Sequence, residues 1–183
     1  MKFTKLEIAG CWLIEPSVFR DERGSFTKTY HQELFEDQGI KFETKEEFFS
    51  VSKKNVLRGL HFQTPPAAHD KLVHCVNGSV LDFFVDIRKE SSTYGKHLKI
   101  DLSKDNALVL FLPKGIAHGF LSLQDDSVMV YKTNHVYAPD HDTGLLWSSC
   151  DIELPIDEPI VSERDMSFPH LNEFASPFDY ESQ

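Results

Sequence analysis

Hydrophobic and polar residues alternate along the middle of the chain with a period of two, which is typical of strands that bury one face. The longest example is Ser79–Arg88, in which Leu81 and Phe83 belong to the apolar series. The same alternation recurs over 98–102 and 128–131. The pattern therefore predicts several short strands in the central part of the chain.

Turn residues separate these strands, and Asn-Gly is the strongest short hairpin signal among them. The turn segments are Asn77-Gly78, Lys104-Asp105-Asn106 and Gln124-Asp125-Asp126. One helix is predicted over His31–Gln38, ending at Gly39. Prolines interrupt regular structure after residue 150. Many short strands at close spacing favour an all-β fold, a jelly-roll barrel or sandwich with a few short helices and an irregular C-terminal segment.

The length of 183 residues fits one domain, 1–183, in which about 166–183 form a tail. The formal net charge is −10, which argues against a nucleic-acid partner and against an anionic membrane surface. A small anionic ligand stays possible, because a few clustered cations outweigh a distant negative background.

Three cysteines at wide spacing, Cys11, Cys75 and Cys150, form neither a disulfide framework nor a zinc ribbon. The N-terminus lacks the apolar run of a signal peptide, so we expect a reduced, cytoplasmic setting.

Two histidines lie in segments that favour chemistry. His61 follows a glycine within LRGLHFQ at 57–63, and His118 lies in the turn-rich PKGIAHGF at 113–120. Histidine is suited to proton transfer near neutral pH. On spacing alone, His61 could equally be an ordinary barrel histidine. For the others the plain interpretation is the commoner one: an incidental histidine in a β-turn for His118, a core aromatic residue for Tyr131 and a solvated loop for SERD at 162–165.

A metal site of the usual kind for such barrels needs a His-x-His pair. Here Gln63 stands two residues after His61, and neither His69 nor His74 has tight ligand spacing. No glycine-rich phosphate loop of the common types is present. We therefore do not expect a metal site.

Eight short motifs occur in the same order as in a known family. Each motif alone is a weak signal, but the eight in order are highly specific. They are DERGSF at 21–26, LRGLHFQ at 57–63, KLVHC at 71–75, DIR at 86–88, PKGIAHGF at 113–120, YK at 131–132, Trp147 and SERD at 162–165. Over roughly residues 1 to 170, the chain resembles the dTDP-4-dehydrorhamnose 3,5-epimerase family. The resemblance implies a cupin-type jelly roll, usually a homodimer that exchanges strands, without metal or cofactor.

The implied activity is epimerisation at C3, C5 or both of a nucleoside-diphosphate-linked 4-keto-6-deoxyhexose, in deoxysugar biosynthesis. A base removes a proton beside the ketone, an enolate forms, and an acid returns a proton to the opposite face. The resemblance gives His61 as the base, Asp165 as its orienting partner, Tyr131 as the acid and Lys71 as the cation near the enolate oxygen.

The resemblance also implies a set of substrate-binding positions. They are Arg23, Phe26, Lys28, Glu46, Arg58, His118, Asp142 and Arg164. Arg23 and Arg58 would hold the diphosphate, because guanidinium groups bind phosphate oxygens in pairs.

Several of these positions depart from the family pattern. Lys28 replaces a usual Glu, Glu46 and Phe48 replace a Gln-x-Asn pair, Asp142 replaces a Glu, and Val136 replaces an aromatic residue. Each buried hydrogen-bond partner that is lost would weaken the binding of a thymidine nucleotide by about 1–3 kcal/mol. We therefore hypothesise that the substrate carries a different base or a different sugar. The alternatives are a non-catalytic sugar-nucleotide-binding jelly roll and a metal-dependent cupin enzyme.

Overall fold

A computed structural model describes residues 1–180 of the chain, so the last three residues of the predicted tail lie outside the described part. Strands dominate it and helices are few. The strands are β1 Lys2–Lys5, β2 Trp12–Glu15, β3 Val18–Asp21, β4 Gly24–Thr27, β5 Glu46–Ser52, β6 Leu57–Gln63, β7 Lys71–Asn77, β8 Ser79–Asp86, β9 His97–Ser103, β10 Val109–Leu112, β11 Ile116–Ser122, β12 Ser127–Thr133 and β13 Asp142–Gly144. The helices are α1 Gln32–Glu36, α2 Glu163–Met166 and the 3₁₀ turns Trp147–Ser149 and Leu171–Glu173.

Two sheets face each other as a sandwich, and the predicted all-β jelly roll is confirmed. One sheet has the order β1-β2-β10-β7-β12-β5, the other has the order β13-β6-β11-β8-β9, and β3 pairs with β4 alone. No helix among residues 1–180 has the length and apolar character needed to cross a membrane.

The three predicted turns connect different sheets, which is the main departure from the sequence-based prediction. Asn77-Gly78 joins β7 in one sheet to β8 in the other, so it makes a corner and no hairpin. The turns at 104–106 and 124–126 also pass the chain between the sheets. An Asn-Gly pair supplies the positive φ that either kind of tight turn needs, and Gly78 has φ +71°. Local sequence therefore predicts the turn but not the pairing of its flanking strands.

Apolar residues form three layers, which explains why β8 and β11 are buried on both faces. The central layer fills the space between the sheets and includes Phe84, Leu110 and Phe120. A second layer lies between the five-stranded sheet and the C-terminal segment, where Phe178 is 5% exposed. A third packs Phe35 of α1 on the outside of the six-stranded sheet. The predicted helix is thus present, and its apolar edge covers the barrel.

The segment SERD, interpreted from sequence as irregular, begins a one-turn helix instead. Ser162 caps α2 because its Oγ accepts a hydrogen bond from the Asp165 N–H at 3.1 Å. Asp165 is 4% exposed, so this carboxylate is buried against the barrel. The Ser-x-x-Asp spacing is a capping signal that the sequence carries.

One end of the six-stranded sheet and the β3–β4 hairpin remain uncovered. Strand β5 is the terminal strand, and its Phe49 and Val51 are 68% and 50% exposed. On the hairpin, Phe19 and Phe26 are 63% and 62% exposed. Apolar side chains are therefore exposed both along this sheet edge and on the hairpin.

Candidate active site

A cavity of about 400 Å³ opens between the two sheets. Strands β5, β7 and β12 line it from one sheet, and β6, β11 and β13 from the other. His61 on β6 and Tyr131 on β12 therefore reach the same space from opposite sheets. The arrangement presents a ligand in the cavity with ionisable groups on two sides.

A glycine bulge in β6 directs both Arg58 and His61 into the cavity. Regular alternation would send them to opposite faces, but the register with β11 shifts by one residue between the His61 and Arg58 pairs. Gly59 lies there with φ +119°, and a Cβ on it would come within 2.5 Å of the Gly119 Cα. Only glycine fits this position, and the bulge explains why the two side chains share one site.

His61 forms a hydrogen-bonded pair with a buried carboxylate. His61 Nε2 lies 2.8 Å from Asp165 Oδ1, and the Gly59 N–H donates to Asp165 Oδ2 at 2.9 Å. Burial alone would raise the pKa of Asp165, but these two hydrogen bonds outweigh it and hold the pKa below its ordinary value. Asp165 is therefore ionised near neutral pH, and it accepts from both partners.

The ionised carboxylate fixes the tautomer of His61. Because Asp165 can only accept, His61 carries its proton on Nε2, and the lone pair of a neutral ring is then on Nδ1. Nδ1 makes no hydrogen bond with any residue in 1–180. His61 can therefore take a proton from a ligand at Nδ1 while Asp165 stabilises the resulting imidazolium.

Tyr131 occupies the other wall of the cavity as a protonated phenol. Burial raises its pKa well above the ordinary value, and the hydrogen bond with Ser50 only partly opposes that effect. The Phe48 ring stacks on the Tyr131 ring with centroids 4.8 Å apart and planes at 11°. Such a phenol can donate a proton but does not ionise near neutral pH.

Lys71 brings a cation whose charge is sensitive to pH. Its Nζ donates to the His61 carbonyl oxygen at 2.9 Å, next to the His61 ring. Burial lowers the pKa of Lys71 to about 8, while the charges of Asp142 and Asp82 oppose the shift. Lys71 is thus mostly charged at neutral pH and loses that charge within the slightly alkaline range.

His118 forms a second pair with a carboxylate, Asp82. The His118 Nε2 and Asp82 Oδ2 atoms are 2.8 Å apart, and the two residues are 3% and 0% exposed. His118 lies directly opposite His61 in the β6–β11 register. Asp82 interrupts the otherwise apolar run of β8, which is the signal by which sequence reasoning could have found it.

Two arginines, Arg58 and Arg164, also line the cavity. Arg58 is held by Ser52 Oγ at 3.0 Å and by the Val51 carbonyl at 3.2 Å. Arg164 forms an ion pair with Asp142 at 2.7 Å at the exposed rim. Since guanidinium groups have five donors each, both arginines retain donors for a phosphate group.

Comparison with known proteins gives a consistent result over most of the chain. The family model of dTDP-4-dehydrorhamnose 3,5-epimerase matches residues 5–173. The chain is 45% identical to the dTDP-4-dehydrorhamnose 3,5-epimerase of Shigella flexneri over 170 residues. The alignment covers 91% of this chain and 94% of that protein. The chain belongs to the dTDP-4-dehydrorhamnose 3,5-epimerase family. The resemblance inferred from the eight motifs is confirmed, and the family consists of isomerases that act on carbohydrates.

Solved structures of relatives share the fold. A dTDP-6-deoxy-D-glucose-3,5-epimerase from Legionella pneumophila, in complex with dTDP-4-keto-L-rhamnose, aligns with a TM-score of 0.93 at 32% identity and covers 99% of both chains. A 3'-monoepimerase from Streptomyces bikiniensis, in complex with dTDP-quinovose, aligns at 0.86 with 33% identity and covers 91% of this chain and 86% of that one. Similar structures thus include both double and single epimerases.

The structure gathers most of the family-derived site residues around one cavity. Eight of them line it: Glu46, Arg58, His61, Lys71, His118, Tyr131, Asp142 and Arg164. Asp165 lies behind His61 as its hydrogen-bond partner. These residues, which are predicted from separate positions along the chain, therefore lie around one cavity.

Three predicted binding residues do not reach the cavity of their own chain. Arg23 and Phe26 lie on the β3–β4 hairpin, and Lys28 follows it; all three are exposed. The Arg23 side chain is 86% exposed and pairs with Asp21. The two strands of the hairpin pair only with each other and with neither of the two main sheets.

Sequence reasoning missed several polar residues of the cavity. Gln63, noted only for breaking a metal motif, donates to the Ala67 carbonyl at 2.9 Å and accepts from the Ala138 N–H at 2.7 Å. Burial lowers the pKa of the neighbouring His69 to about 3, so this cavity-lining ring stays neutral. Among residues 1–180, no three His, Cys, Asp or Glu side chains are grouped so that they could hold a metal ion.

Proposed function

We propose that the chain epimerises a nucleoside-diphosphate-linked 4-keto-6-deoxy sugar at C3, C5 or both, in deoxysugar biosynthesis. The observation that carries this proposal is the pairing of a base and an acid across one cavity, with His61 on one sheet and Tyr131 on the other. Inversion at a carbon beside a ketone needs proton removal from one face and proton return to the other. A non-catalytic binding protein would not need this pair.

In this mechanism the residues act in sequence. His61 Nδ1 takes the proton from the carbon beside the ketone, and Asp165 stabilises the imidazolium. Negative charge develops on the ketone oxygen, where the Lys71 ammonium stabilises it. Tyr131 then gives its phenolic proton to the opposite face of the carbon.

Lys71 gives this mechanism a distinct pH dependence. Its pKa of about 8 in the substrate-free protein means that the charge is lost as the pH rises through that value. We expect kcat/KM to fall above about pH 8, because kcat/KM reports groups of the free enzyme. Lys71→Gln should lower kcat/KM by about 10²-fold and remove this alkaline decrease.

The matched variant is Lys71→Arg, in which the cation stays charged to much higher pH. Profiles of kcat/KM for the three proteins between about pH 6 and 10 give the comparison. An alkaline decrease near pH 8 that persists in Lys71→Arg would mean that another group causes it.

We propose further that the base or the sugar of the substrate differs from that of the family's usual rhamnose precursor. Glu46 brings a carboxylate to the cavity, where its Oε2 accepts from the Tyr137 N–H at 2.7 Å. Phe48 brings an apolar ring where the family pattern has an amide. These changes alter the hydrogen bonds that the β5 wall offers, while His61, Asp165, Tyr131 and Lys71 are retained.

A panel of dTDP-, CDP-, GDP- and UDP-4-keto-6-deoxyhexoses in heavy water, followed by NMR, tests the activity and the substrate together. We expect solvent deuterium at C3, C5 or both of at least one sugar. Absence of exchange with every sugar would favour a binding protein instead. Calorimetry with the free nucleotides shows which base the protein binds. Tight binding of dTDP with poor binding of CDP, GDP and UDP would contradict a changed base.

The exposed surfaces support a homodimer in which Arg23 acts in the partner's cavity. The open edge of β5 and the uncovered Phe19 and Phe26 of the hairpin are apolar surfaces that a second copy would bury. A hairpin that reaches across the interface would bring Arg23 to a site that it does not reach in its own chain. We also propose a cytoplasmic location, which the three buried free cysteines support.

Mixed dimers test the position of Arg23. Arg23→Ala and His61→Asn subunits, each nearly inactive as homodimers, are co-expressed with different tags and purified as hybrids. If Arg23 serves the partner, one cavity of each hybrid has both residues, and about half of the wild-type activity returns. Hybrids as inactive as the parents would mean that Arg23 serves the cavity of its own chain.

A further inference from the structure

Among the residues that the structure describes, the phenol of Tyr131 has one polar contact. The Phe48 ring covers one face, the His118 ring approaches edge-on with centroids 6.2 Å apart, and Tyr131 is 9% exposed. Within residues 1–180, the hydroxyl of Ser50 is the one hydrogen-bond partner of the phenol, at 3.3 Å. Any proton that enters or leaves the phenol, other than through a bound ligand, has Ser50 as its nearest route.

Strand β5 supplies both the apolar ring that covers Tyr131 and the hydroxyl that bonds its phenol. Phe48 and Ser50 are two residues apart on β5, so their side chains lie on the same face of the strand, and both line the cavity. Phe48 is paired in register with Tyr131. Ser50 is partly exposed, whereas Tyr131 is buried. The Ser50 hydroxyl therefore contacts both the buried phenol and the solvent that enters the cavity.

The proposed reaction leaves a proton imbalance after each inversion. A C–H bond breaks as His61 gains a proton, and a new C–H bond forms as the phenolic O–H of Tyr131 breaks. The products are a protonated His61 and a tyrosinate. Before the next inversion, His61 must release one proton to water, and Tyr131 must regain one.

We propose that Ser50 is a positioning residue that orients the phenol of Tyr131 and returns its proton after each inversion. The Ser50 O–H bond breaks as the phenolic O–H reforms, and Ser50 recovers a proton from water in the cavity. The proton that His61 releases to water balances the one that enters through Ser50. This inference rests on the proposed function and adds to it the route by which the acid is restored.

Ser50→Ala separates this role from a structural one when inversion and exchange are measured together in heavy water. We expect kcat for inversion to fall about tenfold or more with KM within about twofold, since the loss is not in substrate binding. Deuterium exchange without inversion should continue, because His61 can return a deuteron to the same face. Ser50→Thr, which keeps a hydroxyl, should restore inversion to within about threefold of wild type.

Two further proteins complete the test. In a Tyr131→Phe background, Ser50→Ala should cause no additional loss, because residues that act through one group are not additive. Ser122→Ala is the matched control: it removes a buried hydroxyl that bonds the Gln124 carbonyl at 2.8 Å, and it should keep wild-type kinetics. Inversion by Ser50→Ala within twofold of wild type, equal loss of exchange and inversion, or additive losses would each overturn the inference. A wild-type protein inactive on every sugar would overturn the proposed function and this inference with it.

Discussion

His61→Asn is expected to abolish proton exchange at both C3 and C5 of the substrate. The asparagine cannot accept a proton near neutral pH, and it leaves Asp165 without an imidazolium to stabilise. Removal of a positioned general base costs about 10²–10⁴-fold, and we expect a loss of about 10³-fold or more here. Loss of the substrate C–H signals in heavy water, followed by NMR, gives the rate.

His97→Asn is the control for this variant, because His97 lies on β9 away from the cavity. It should exchange deuterium at the wild-type rate. The unfolding temperature of His61→Asn should stay close to that of wild type, which separates lost chemistry from lost structure. Exchange by a folded His61→Asn within about tenfold of wild type would show that another group is the base.

Tyr131→Phe is expected to stop inversion much more than exchange. Without the phenol, His61 still removes the proton and can return a deuteron to the same face, but nothing delivers one to the opposite face. We expect inversion to fall about 10²-fold or more and exchange to fall less than about tenfold. Product stereochemistry and deuterium content, measured in one sample by NMR, give both rates.

The control is Tyr94→Phe, which removes a hydroxyl from a residue that is 42% exposed and outside the cavity. It should leave both rates unchanged. Equal and mild effects of Tyr131→Phe on exchange and inversion would mean that the acid is misassigned. Equal and severe effects would mean that Tyr131 acts before the enolate forms.

The periodicity of the sequence predicts the all-β fold because burial between sheets depends on local alternation. It does not predict strand pairing: Asn77-Gly78 makes a corner between sheets, since the same turn chemistry serves a hairpin and a corner. Nor does it reveal that β8 is buried on both faces. That follows only from the packing of the C-terminal segment, with Phe178, on the outer side of the sheet.

The motifs predict eight residues that line the cavity and also Asp165 behind His61, and they miss Ser50 and Asp82. Ser50 becomes a candidate only when its partner Tyr131 is in place. Asp82 carries a sequence signal, because it interrupts an apolar stretch, but its pairing with His118 is visible only in the structure. For Arg23 the motif predicts a contact with substrate, but in its own chain Arg23 is exposed and does not line the cavity. Contacts across sheets depend on long-range packing, which no local pattern records.

The most direct test of the account is the proton NMR spectrum of the wild-type protein acting in heavy water on the keto-sugar nucleotide that it binds. We predict that each inverted carbon carries a solvent deuteron and that a single turnover leaves the other carbons of the ring unlabelled. Inversion in which the inverted carbon keeps its original proton would contradict the central claim that His61 and Tyr131 exchange protons with solvent from opposite faces of the sugar.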